Sequence, residues 1–505
     1  MSDFKPISKS KFDAYFYGRS PFVKQFTEES HWYIYESPEI TLLAVVLHCK
    51  IDNDYNAIVL ARDLNKRFRA VDTRCSLPTP EDAMKEALEG VPKLAASAVD
   101  GLISQGDETP SPFAIFAAKV SQHKRNRYLK MLLDDPTYYP ARVAMEELAH
   151  WFEDPDGIFI RGLQGNEFNS RLFELYLHAA FYELDFTIDH SNAQPDYLLS
   201  KHGHQVAVEA ATVAELEEEG GKDADLGAAA DAENGGGDYD ADGEDDASES
   251  VDPALARRRG KRLDQSAIEK LMEHVENELP FKFQRTLAKK VRHRPEPLNL
   301  PYWELPHTKG KPFVIAVHDY SKSMSMAMSS SPMQRYLYGL ELVDGKMVRI
   351  ERHEHKGRTI ASNFFGQLGN RHVSAVMLVT QATVPKFNRM GRIAGVRDNN
   401  SLAIVHGVRT NADGELGPFR AVAEDPRYSE AWHDGIYMFH NPNAAIPLEP
   451  SLFHRVIHCF ERDGQLEEWF PSNYIVGSVT EMHRFSDEAA DEIWKNLEPY
   501  LGRFE

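Results

Sequence analysis

The stretch Gln194 to Val213, QPDYLLSKHGHQVAVEAATV, reads as a β-hairpin with one self-consistent register. A two-residue hairpin loop of this kind needs positive φ at both central positions, which Gly203 adopts freely and His202 tolerates better than most side chains do. With that turn, Lys201 pairs with His204, and counting back along both arms sets Leu199 against Val206, Tyr197 against Val208 and Asp196 against Glu209. Alternation puts Tyr197, Leu199, Val206 and Val208 on one face and Asp196, Leu198, Ala207 and Glu209 on the other. The apolar pattern and the acid pair therefore agree on one register. Two opposed carboxylates repel, and they are stable mainly when a cation sits between them or one is protonated. A divalent-metal site is the expectation.

A Pro-Asp that opens one strand, an acid near the end of the next and an acid-bearing helix just before, from about Phe168 to Thr380, resemble the restriction-endonuclease-like PD-(D/E)xK nucleases. The resemblance implies a mixed-sheet core of helix, three strands, helix and strand. Laid on this chain, the first helix is FNSRLFELYLHAAFYEL, with Leu172, Leu175, Tyr176 and Ala179 at helical spacing and Glu174 facing another way. Strands follow at about Asp185 to Asp189, Pro195 to Ser200 and His204 to Val213. A long helix covers roughly Leu263 to His293, with Pro280 as a candidate break, and KPFVIAVHDY and SAVMLVT supply two further buried strands.

The same resemblance implies that Glu174, Asp196 and Glu209 are metal-binding acids. Mg²⁺ is the expected ion, with Mn²⁺ as an alternative, because hard carboxylate oxygens leave room for water and a substrate phosphate. One departure stands out. The family's Lys belongs two residues after the second acid, and Ala211 occupies that position. Some relatives carry this Lys on the following helix, where the chain has Lys289 and Lys290; Lys201, at the far turn of the hairpin, is a weaker candidate.

Length and composition suit a cytoplasmic enzyme of several domains: 505 residues, three scattered cysteines, no apolar core of a signal peptide and no apolar run long enough to cross a bilayer. The net charge of -21 is mostly local, because Glu215 to Asp252 holds sixteen acids against the single Lys222. That tract has almost no large apolar residue, and it reads as a disordered acidic insert over 214–256, ending at the basic run RRRGKR. It is expected to be a tolerated surface insertion, with occupation of a basic substrate groove as the sharper alternative.

The flanks carry less chemistry. HWYIYES, TLLAVVLHCKI and DYNAIVLARDL, followed by the helical PEDAMKEALEGV, predict an N-terminal α+β domain over 1–147 with an antiparallel sheet. The nuclease-like core is assigned to 148–380 and a C-terminal extension to 381–505. In that extension KFNRMGRIAGVRDNN reads as a loop in which Lys386, Arg389, Arg392 and Arg397 hold a phosphate backbone beside Phe387. Ser451 to Phe460 has helical spacing, and Ser486 is placed to cap a final helix. His353 and His355 in RHEHKG lack a third partner and read as a surface strand. The overall expectation is an α/β, or broadly α+β, metal-dependent nuclease acting on DNA in preference to RNA. Defence against foreign DNA is suggested by analogy alone. The alternative, for which Ala211 is the best evidence, is an inactive nuclease-like fold that binds nucleic acid or a partner protein.

Overall fold

The computed structural model describes residues 3–109, 113–154, 157–189, 191–214, 265–322 and 324–497. The acidic tract after Ala214 and the RRRGKR run lie outside the described residues. The chain is a mixed α+β protein, and its largest element is an eight-stranded mixed sheet.

The hairpin takes the expected register. His202 and Gly203 sit at φ 51 and φ 79, and Lys201 pairs with His204, Leu199 with Val206 and Tyr197 with Val208. Its arms are Tyr197–Lys201 and His204–Val213, with the short Thr187–Asp189 strand outside them. Beyond the longer arm come Phe313–Asp319, Ala375–Val379, Ile436–His440, Ile457–Arg462 and finally Gln465–Trp469. The central trio, His204–Val213, Phe313–Asp319 and Ala375–Val379, runs parallel. Parallel strands are covered on both faces, which accounts for their continuous apolar runs.

Alternation along these strands separates two cores. Val206, Val208, Val314, Ala316, Met377 and Met438 face the helices Tyr139–Ala149, Phe168–Glu183 and Val384–Ile393. Ala207, Ala211, Ile315, Val317, Leu378 and Phe439 face Leu279–Arg292 and Ser330–Tyr338. The long helix expected after the insert runs as Gln265–Glu273, a π turn at His274–Glu278, and Leu279–Arg292. Pro280 causes no break, because it stands at the start of the last stretch, where a missing N–H is tolerated.

Several expectations need correction. The sheet does not end at residue 380, since three strands between Ile436 and Trp469 extend it. The Ile436–His440 segment, IYMFH, is short and wholly buried, so it shows no alternation to read. Ser451 to Phe460 is not a helix: a 3₁₀ turn at Pro450–Phe453 leads into a strand that pairs in parallel with Ile436–His440. Here tertiary pairing overrides local spacing.

The N-terminal unit is a five-stranded antiparallel sheet in sequential order, ending with Phe68–Leu77, a strand too polar to be recognised from its sequence. Thr79 caps the Pro80–Ser97 helix, which packs on the sheet through Ala83, Ala87 and Val91. Leu129, Leu132, Met145 and Leu148 belong to the core of the large sheet, so the chain leaves the N-terminal unit before residue 147. Past the large sheet, Leu416–Val422, Ser401–Thr410 and Ile475–Arg484 form a separate three-stranded sheet, and Ser486 precedes the final helix, Asp487–Lys495. Among the described residues no helix is long and apolar enough to cross a membrane.

Candidate active site

Where the hairpin ladder ends, the two acids complete it with their side chains. Asp196 N donates to Glu209 Oε2 at 3.3 Å, and Ala210 N donates to Asp196 Oδ2 at 2.7 Å. Glu209 is 3% exposed and lies on the strand face that packs against Leu279–Arg292. From that helix Lys290 Nζ reaches Glu209 Oε1 at 2.5 Å, and Tyr302 OH donates to the same oxygen at 2.7 Å. Glu174 approaches from the Phe168–Glu183 helix on the opposite face of the sheet. Arg171, one turn earlier, grips both of its carboxylate oxygens at 3.1 and 3.0 Å. Tyr197 OH ties the hairpin to this helix by donating to Glu174 O.

A cavity of about 230 Å³ lies beside these groups and is lined by Glu174, Asp196 and Lys290 among them. Asp196, Ala210 and Ala211 line it from the sheet, Glu174 from the Phe168–Glu183 helix, and Thr286, Lys289 and Lys290 from Leu279–Arg292. Of the two candidate lysines, Lys290 faces Glu209 while Lys289 is exposed at the rim. Ala211 shares the Glu209 face of the strand, so its small side chain leaves open the space that Lys290 borders. Lys201 is far from this point: it is buried at the hairpin turn and donates to Leu184 O and Leu452 O.

The electrostatics follow from crowding acids in a half-buried place. Burial, with the charges of Glu209 and Glu174, pushes the Asp196 carboxyl well above its ordinary range. Burial also raises Glu174, with Arg171 pulling back and Glu209 adding to the rise. For Lys290 burial works against the ammonium, yet Glu209 and Asp196 outweigh it and the group is raised. Burial and then Glu209 push the Tyr302 hydroxyl up, so it stays a donor.

The donor set suits a hard divalent cation at Asp196 and Glu209, whose repulsion such an ion relieves, and the adjoining cavity leaves room for water and a phosphate oxygen. The three acids are nevertheless not gathered tightly as a set. Among the described residues, the group whose candidate ligand atoms all lie within 4.8 Å is Cys49, Asp52 and Asp54, at an exposed turn of the N-terminal sheet. Lys290 and Tyr302 hold Glu209, while Arg171 holds Glu174 to its own helix.

Sequence reasoning missed two residues here. Arg171 carries a recognisable signal, standing three residues before Glu174 and four after Glu167, with ion pairs to both. Tyr302, in a 3₁₀ turn after Pro301, carries none. A further polar chain pins the long helix: His274 Nε2 lies 2.8 Å from Ser321 Oγ and His274 Nδ1 lies 2.7 Å from Glu278 Oε2. Ser321 and His274 are 3% and 2% exposed, so this chain ties the π turn to the end of the Phe313–Asp319 strand and presents no reactive surface. His353 and His355 lie on the short Arg352–His355 strand, with His353 bonded to Ser362.

The proposed phosphate-binding segment is overturned at three of its four cations. KFNRMGRIAGVRDNN is mostly the Val384–Ile393 helix, and Lys386, Arg389 and Arg392 are all 2% exposed or less. Lys386 and Arg389 share Glu430, at 2.6 and 2.5 Å, while Arg392 pairs with Asp398 at 2.6 Å and also with Glu424. Arg397 remains exposed, with its guanidinium 4.7 Å from the Trp494 ring centre. Lys386, Arg389 and Arg392 are structural. Glu430, whose carboxyl is held down to about 2 against burial by Arg389 and Lys386, stabilises the fold above its unfolded pKa of 4.5, and that contribution is lost as pH falls from 4.5 toward 2. Glu430→Gln, which leaves two buried cations short of charge, is expected to cost about 3–5 kcal/mol in urea unfolding at pH 7 and to flatten the acid limb. A loss under 1 kcal/mol would refute this account of the helix.

Comparison with protein-family models, curated proteins and solved structures finds no match to this chain.

Proposed function

We infer that this protein is a metal-dependent nuclease, hydrolysing phosphodiester bonds in DNA in preference to RNA, with a restriction-endonuclease-like core between about Phe168 and Val379. The observation that carries the reading is the meeting of Asp196, Glu209 and Lys290 beside one cavity, with Lys290 supplied by the helix that packs over Ala211. Mg²⁺ or Mn²⁺ held by Asp196 and Glu209, with Glu174 at the edge of the same cavity, would supply polarisation of the phosphodiester and a lowered pKa for an attacking water.

The chain's own groups do the rest. Tyr302 holds Glu209 in one orientation through Oε1, and the Ala210 N–H does the same for Asp196. Lys290 places a permanent positive charge on the cavity wall, where it offsets charge gathering on the phosphate oxygens. Arg171 fixes Glu174 on the opposite wall.

Purified protein incubated with plasmid, linear duplex, single-stranded DNA and RNA is expected to cleave DNA with Mg²⁺ or Mn²⁺ and to stop when chelator is added. Inactivity on every substrate, with binding intact, would replace this reading with an inactive nuclease-like fold. Metal-independent cleavage would place the chemistry elsewhere.

A further inference from the structure

With Lys386, Arg389 and Arg392 buried and paired, a row of cations that can meet a polyanion is found instead on Leu279–Arg292. On a helix with 3.6 residues per turn, Arg285, Lys289 and Arg292 fall within an arc of about 60° on the side opposite Leu279, Phe283 and Leu287. The three apolar residues are buried and the three cations exposed. None of the three has a carboxylate partner among the described residues, in contrast to Lys386, Arg389 and Arg392. The row is continuous with the candidate active site, because Lys289 and its neighbours Thr286 and Lys290 line the cavity shared with Glu174 and Asp196.

Resting on the nuclease reading, we propose that Arg285, Lys289 and Arg292 form the surface that holds the phosphate backbone of duplex DNA and leads one strand into the cavity. Charge and spacing both favour this occupant. Seven residues of helix span about 10 Å, and one strand of a duplex presents a phosphate about every 3.4 Å along its axis, so the row matches about three successive phosphates. Each contact displaces a condensed counterion, which gives the row a signature that a purely structural role lacks.

The test measures binding of a fluorescent 30-base-pair duplex by anisotropy over a range of salt, in chelator so that no cleavage intervenes. Arg285→Gln/Lys289→Gln/Arg292→Gln should lower the slope of log K against log salt by about 2.7, at about 0.9 per cation. The same charge change on the exposed hairpins, Lys346→Gln/Arg349→Gln/Arg358→Gln, should leave the slope unchanged. Equal effects of the two triples, no effect of the first, or no duplex binding by the wild type would overturn the proposal. So would tighter wild-type binding of poly-glutamate or of RNA, which would assign the row to an acidic partner or a different nucleic acid. Cleavage with Mg²⁺, followed separately, tells the two ideas apart: stripe-dependent binding without cleavage sinks only the enzyme reading, and cleavage with an unchanged salt slope sinks only the stripe.

Discussion

Asp196→Asn and Glu209→Gln proteins are expected to lose metal-dependent DNA cleavage by at least about 10³-fold while remaining folded, because each removes a charged ligand of the proposed cation. The conservative amides matter. Glu209 accepts from Lys290 and Tyr302, so truncation to Ala would leave a half-buried ammonium and a buried hydroxyl without an acceptor. The two variants should part company in stability. An Asp196 carboxyl raised by burial and by its acidic neighbours binds its proton more tightly in the folded chain than in the unfolded one. The metal-free wild type is therefore penalised as pH rises above 3.8, and Asp196→Asn should melt higher than wild type at pH 7 but not below pH 3.8. Mg²⁺ should raise the wild-type melting temperature and leave that of Asp196→Asn unchanged. Cleavage at wild-type levels in both variants would move the chemistry away from the hairpin, and a lower melting point for metal-free Asp196→Asn at pH 7 would show that the acids are not in conflict.

The hairpin was legible because two independent signals agreed: a turn that demands positive φ twice, and a period-two apolar pattern that a one-residue slip would invert. Opposed acids followed from counting alone. What the sequence withheld depended on contacts between distant segments. Lys386, Arg389 and Arg392 look like a solvated basic stretch until Glu430, Glu424 and Asp398 are brought against them. Buried cations are admissible when paired, and although Asp398 is near Arg392 in sequence, the pairings with Glu424 and Glu430 span 32 to 44 residues and leave no local mark. IYMFH was missed because a wholly buried strand shows no alternation, whereas the Ile457–Arg462 strand ends at Asp463 and Gly464, a two-residue hairpin turn into Gln465–Trp469 that the sequence does carry. The choice between Lys289 and Lys290 lay between these extremes. Helical geometry points adjacent residues about 100° apart, but only the packing of Phe283 and Leu287 shows which of the two turns toward the sheet.

Lys290→Met is expected to reduce cleavage by about 10² or more while metal binding survives, because the substitution keeps most of the apolar stem and removes the charge at the cavity wall. Lys289→Met, at the exposed rim, should affect duplex binding more than the rate of the chemical step. The decisive variant uses the feature that first put the enzyme reading in question. Ala211 lies two residues beyond Glu209 on the same strand face and lines the same cavity as Lys290, so a Lys at 211 reaches the same space from the sheet side. Ala211→Lys in the Lys290→Met background should restore cleavage, since the cavity that Ala211 lines admits the new side chain and Glu209, freed of its ammonium partner, offers it the same acceptor. In the wild-type background the same change sets two ammonium groups against Glu209, and it should lower both stability and activity. Recovery in the first background together with loss in the second would show that the strand and helix positions serve one site. Wild-type activity in Lys290→Met would remove this lysine from the mechanism, because no other cation of the described residues reaches Glu209.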